Sequence, residues 1–161
     1  MWARKRLAIA LVVAVALVAS LLVIFLPDGT KTAVLPAQTY KLTIQNPAGP
    51  AAAGKGGYML AGARTAAEHA RGLSDIQAMP ADRGMLFIYN SQEQHCFWMK
   101  DMRFPIDMIW LDTDKMVTHI EAHVSPASYP NALCYVSKYV IELNAGEAAR
   151  NNLKAGQTVS F

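Results

Sequence analysis

Residues 7–26 (LAIALVVAVALVASLLVIFL) are apolar at every position except Ser20. A helix of about twenty such residues, rising about 1.5 Å per residue, matches the hydrocarbon thickness of a bilayer. Arg4, Lys5 and Arg6 stand immediately before the run, and a basic cluster on that flank is retained on the cytoplasmic side. The expectation is a single-pass membrane anchor with the N-terminus cytoplasmic and everything after it outside. A cleaved signal peptide is the competing reading. Its apolar segment is usually shorter, about 7–15 residues, and Val18-Ala19-Ser20, the fitting small-residue triplet, lies inside the run. The partner of this segment is then the lipid bilayer, contacted through residues 7–26.

The charge balance follows from the anchor. The sequence has 15 basic and 12 acidic residues; the three basic residues ahead of the run account for the whole excess. The remainder is electrically neutral and lacks the basic surface that nucleic-acid binding needs. With 53% hydrophobic residues it has material for one real core. Residues 1–26 are therefore read as cytoplasmic segment and anchor, 27–39 as a Pro- and Gly-containing linker, and 40–161 as an extracytoplasmic domain.

Within that domain, residues 40–44 alternate apolar and polar, a strand signal. The segment 46–57 (NPAGPAAAGKGG) is a loop; it lacks the glycine spacing and Lys-Ser/Thr ending of a phosphate loop. Thr65 and Glu68 have the spacing of a capping box, and Gly72 has the place of a helix-ending residue, which bounds a short helix over 66–71. Apolar runs at 85–89, 96–99 and 106–111 read as separate strands, and residues 135–143 as another. The turn at 112–115 joins the third to residues 116–120 as a hairpin. A second short helix is expected over 147–153 and a final strand at 158–161. The fold class is mainly β: a compact β-sandwich or small barrel with one or two short helices.

Chemistry concentrates between Phe97 and Asp107. Asp107 and Glu142 each interrupt an apolar strand, and a carboxylate so placed must be paired, hydrogen-bonded or protonated. In one reading Trp98, Lys100, Asp107, Trp110 and Glu142 line a ligand pocket. In another Asp107 braces the Phe104-Pro105 turn, the commoner fate of such a group. If Asp107 and Glu142 converged they would make an acid/base pair suited to hydrolysis. His119, Glu121 and His123 share a strand face, yet i and i+4 lie roughly 13 Å apart along a strand, too far for one metal ion; no metal and no cofactor is expected. No nucleophile elbow is present. Cys96 and Cys134, on the oxidising side of the membrane, are candidates for one disulfide; two separate buried thiols are the alternative.

Arg71-Gly72-Leu73, Gly84-Met85-Leu86-Phe87, Phe97-Trp98-Met99-Lys100, Pro105-Ile106-Asp107 and Ile141-Glu142-Leu143-Asn144-Ala145-Gly146 occur in that order. Together they resemble the DUF192 (UPF0127) family over about residues 59–161. The resemblance implies a compact β domain, often exported or anchored, with no general biochemical activity attached. It singles out Gly72 and Gly84 as turn positions and Trp98, Lys100, Asp107 and Glu142 as site candidates. Ser74-Asp75 departs from the pattern, where a Met and an aromatic residue often follow. The function expected is a non-catalytic binding or envelope-accessory module for a small molecule or saccharide, the carboxylate-pair hydrolase being the alternative.

Overall fold

A computed structural model describes residues 35–44 and 57–161. The expected anchor at 7–26 and most of the linker lie outside the described residues. Among the described residues no helix is long and apolar enough to cross a membrane.

Seven strands form one sheet: β1 Thr39–Ile44, β2 Tyr58–Ala63, β3 Arg83–Phe97, β4 Ile106–Leu111, β5 Val117–Val124, β6 Leu133–Asn144 and β7 Val159–Ser160. Among the described residues two short α-helices accompany them, α1 Ala66–Arg71 and α2 Glu147–Arg150. The order across the sheet is β5-β4-β6-β3-β2-β1-β7. β2 and β3 pair in parallel, with α1 in the crossover between them, and the other pairings are antiparallel. The sheet curls as a half-barrel, and its two ends meet at a bridge between Met116 and Thr158. Backbone bonds from Val117 N to Gln157 O (2.8 Å) and from Val159 N to Lys115 O (3.1 Å) close the seam. One curled sheet, rather than two facing ones, is the arrangement found, so the sandwich half of the expectation is replaced by the barrel-like half.

β3 corrects the sequence reading most. Two separate strands were expected, at 85–89 and 96–99; instead one 15-residue strand runs from Arg83 to Phe97. Its pairing with β6 shifts register between Ile88 and Glu93. Beyond that irregularity the strand continues as a ribbon with β6. The polar residues 90–95 are mostly exposed there, so nothing forces the apolar signal to persist.

The sheet buries both faces. One cluster draws on all seven strands, including Leu42, Leu60, Leu86, Ile109, Val117, Leu143 and Val159, and fills the interior of the curl. Ala148 of α2 closes this core. Glu147 anchors the same helix by accepting from the Tyr58 hydroxyl, and Asn151 Nδ2 donates to that hydroxyl at 2.6 Å. The second cluster, on the opposite face, contains Met85, Phe87, Met108, Trp110 and Val140. Leu73, Met79 and Met99 from the irregular segments cover it. β4 lies between β5 and β6 with a core on either side, and its six residues are buried, which is why its sequence, Asp107 apart, is apolar without alternation.

Candidate functional site

A cleft opens to solvent on the second face. Its upper wall is α1. Thr65 Oγ1 accepts from Glu68 N at 3.2 Å, and Glu68 Oε2 accepts from Thr65 N at 2.8 Å and Arg64 N at 2.8 Å, the capping box the sequence encodes. These amide bonds hold the Glu68 carboxyl below its ordinary range. The helix so fixed directs His69 onto the sheet, with its ring centroid 4.4 Å from that of Tyr89 and its Nε2 3.1 Å from Ala63 O. Gly72 then ends the helix at φ +50, a region where a side chain would be strained.

The sheet supplies the floor. Glu142 on β6 stands opposite Met85 of β3 and Met108 of β4, so its carboxyl emerges between two thioether side chains. The residue is 5% exposed, and Oε2 has no hydrogen-bond partner among the described residues. Burial pushes its pKa up to about 8. Tyr89 is also raised, to about 12, by burial and secondarily by the charge of Glu142. Phe87, Phe97 and Trp98 complete the walls with His69 and Tyr89. The cleft has a volume of about 80 Å³, room for a few waters or one small polar group. A wider hollow of about 270 Å³ lies beyond Gly72, bounded by Leu35, Ile76 and Met85. Its acid, Glu68, is already engaged in the helix cap.

The five residues singled out from sequence divide sharply. Trp98, 54% exposed, and Glu142 both line the cleft. Lys100 is exposed and does not line it; its carbonyl accepts from Ser74 Oγ at 2.9 Å. Trp110 is wholly buried in the second core, edge-on to Phe97 and Tyr135, and is not a pocket wall.

Asp107 is fully buried on the other face. Oδ1 accepts from His123 N (2.9 Å) and Gly146 N (3.1 Å), and Oδ2 from Ala148 N (2.9 Å). It latches β5 and the start of α2 to β4, and does not brace the Phe104-Pro105 turn. Asp107 pairs with Leu143, so the neighbouring Glu142 points to the opposite face of the sheet. The two acids do not converge, and they cannot act together on one bond.

His69 and Tyr89 were missed from sequence. His69 falls within the short helix expected at 66–71 and Tyr89 at the end of the apolar run 85–89, with nothing local to single out either. The available signal was the Arg71-Gly72 helix end, which brings the residue two or three positions earlier over the sheet. In β5, His119 Nε2 lies 3.0 Å from Glu121 Oε1, and the His119 ring stacks on Tyr135 at 3.7 Å. His123 has φ +55, beside a register shift between Ile106 and Met108. No three metal-ligating groups come together among the described residues. Cys96 and Cys134 stand directly opposite each other in β3 and β6 and are joined as a disulfide, Cα–Cα 4.0 Å. Cys96 is exposed at the edge of the cleft.

Comparison with known proteins agrees with this architecture. A crystal structure of a provisionally assigned transcription regulator from Sinorhizobium meliloti is 22% identical, with a TM-score of 0.71, over 79% of this chain and 96% of that one. At that identity the likeness speaks for the fold alone. A crystal structure of a protein of unknown function from Novosphingobium aromaticivorans is 30% identical, with a TM-score of 0.66, over 83% of this chain and 99% of that one. No curated protein matches the chain. The model of the DUF192 family, described as an "Uncharacterized ACR", matches residues 51–161. The pattern read from Gly72, Gly84, Trp98 and Glu142, the half-barrel around them and this match have one reading: the chain belongs to the DUF192 family.

Proposed function

We propose that this chain is a membrane-tethered, outward-facing binding module that takes a small polar ligand of the saccharide type in the cleft between α1 and the sheet. Tethering rests on the apolar run at 7–26 and the basic cluster before it. Binding rests on one observation: a buried carboxyl oxygen without a partner among the described residues lies under a rim that carries a largely exposed indole, Trp98. An aromatic face that stacks and a polar group that orients are the usual parts of such a site. The separation of Asp107 from Glu142 removes the carboxylate pair on which the hydrolase reading rested, so the binding reading is favoured over that one.

The experiment is a thermal-shift screen of the soluble outer domain against envelope saccharides, with Trp98→Ala beside the parent. A ligand-dependent rise in Tm that the variant loses supports the reading. A flat response across a broad panel overturns it.

A further inference from the structure

The chemistry of the cleft narrows the ligand beyond a polar small molecule. Much of the wall is aromatic: Phe87, Tyr89, Phe97 and Trp98 line the cleft beside His69, Ser74 and Arg71, and ring faces attract cations. At the floor the carboxyl of Glu142 is more than nine-tenths buried and has no hydrogen-bond partner on Oε2 among the described residues. Aromatic walls around a lone acid are the complement of a positively charged nitrogen, held by ring faces on its sides and by a charge-assisted hydrogen bond at its tip. An anionic ligand would gain no ion pair from this acid in either protonation state. A neutral hydroxyl would leave the cation-attracting character of the walls unused.

We propose that the group seated in this cleft is an ammonium, and that the ligand is an amine-bearing saccharide bound through its nitrogen to Glu142. The inference rests on the saccharide-binding reading above and specifies which part of the ligand enters.

The groups facing Glu142 bear on how binding couples to protons. From β3 comes Tyr89, raised to about 12 and hence neutral. From α1 come His69, whose Nε2 is engaged near Ala63 O, and Arg71, exposed at the mouth. Arg71 forms no ion pair with Glu142, and a cation in solvent is strongly screened. The free carboxyl holds its proton near neutrality, because burial raises it to about 8. An incoming ammonium favours the carboxylate, so the carboxyl proton leaves to the buffer as the ion pair forms. Binding therefore releases about one proton per ligand well below pH 8, where the ligand is still an ammonium, and tightens as pH rises from acid toward neutrality.

The test compares glucosamine, N-acetylglucosamine and glucose as probes, by titration calorimetry at pH 6.5 in two buffers of different ionisation heat. The expected result is binding of glucosamine with release of about one proton, and binding at least about tenfold weaker for the two uncharged sugars. Glu142→Gln, which keeps the shape of the side chain, should lose both the proton release and about tenfold in affinity. Equal binding of the three sugars, or glucosamine binding without proton release, overturns the ammonium assignment and leaves saccharide binding standing. Absence of binding by all three overturns both.

Discussion

Replacing Glu142 with Gln should change how the stability of this domain depends on pH, and the size of the change follows from burial. The folded chain keeps the Glu142 proton up to about pH 8, against 4.5 for the same group in water. Between those values the folded state binds more protons than the unfolded one. The contribution of this residue is therefore fully present below about pH 4.5 and is lost as pH rises through the folded value. The slope is ~1.4 kcal/mol per pH unit, which sums to about 5 kcal/mol across the window and about 3 kcal/mol by pH 7. With 5% exposure, solvent screening does little to reduce it. Gln fills nearly the same space and does not titrate, so the variant gains on the parent steadily from pH 5 to pH 8. Any fixed cost of burying the amide shifts its curve without tilting it. His95, which burial holds below its ordinary value, slopes the other way but is present in both chains and cancels. Urea denaturation followed by tryptophan fluorescence at pH 5, 6, 7 and 8 measures the difference directly. If the two stability curves run parallel over that range, Glu142 is not buried as a protonated acid, and the account of the cleft floor fails.

Asp107→Ala removes the acceptor for the amides of His123, Gly146 and Ala148; a loss of about 4 kcal/mol is expected, with faster hydrogen exchange at those three amides. Reduction and alkylation of Cys96 and Cys134, which close a loop with a sequence separation of 38, should cost about 4 kcal/mol in denaturant unfolding. Gly84→Ala places a Cβ 2.6 Å from Glu142 O, 2.6 Å from Leu60 Cδ2 and 2.7 Å from Leu143 Cδ2. Overpacking of about 1–3 kcal/mol should appear as a lower urea midpoint.

Much of the fold was legible because local chemistry decided it. Thr65, Glu68 and Gly72 fix α1 through bonds three or four residues long, and the turn at 112–115 sets the β4–β5 hairpin. β4 announced itself by five apolar residues around the single acid Asp107, since a strand with a core on each face has no solvent-facing polar side. The continuation of β3 past Tyr89 was hidden because a two-stranded ribbon exposes its side chains, and exposure erases the period that marks a strand. The acids were visible as anomalies, but their fates were not. Whether Asp107 and Glu142 meet depends on the alignment of β4 with β6, a pairing between residues some 35 positions apart that no local pattern encodes. The same holds for His69 and Tyr89, joined across a helix and a strand.

That alignment gives the two acids a role in folding. A one-residue slip of β6 would turn Glu142 into the interior of the curl and Leu143 outward, since strand side chains alternate. A carboxyl among Leu60, Ile109 and Val159 would find no amides there, because those near α2 are already bound to Asp107. A slip of β4 would carry Asp107 away from the same amides. Each acid therefore tolerates one alignment and penalises its neighbours, while apolar residues in their places would fit either face. The Cys96–Cys134 bond, spanning the far end of the same β3–β6 pairing, is sealed only when β3 and β6 are in step. Proofreading of strand alignment is thus distributed along β6, with an acid checking one end and a covalent bond recording the result at the other.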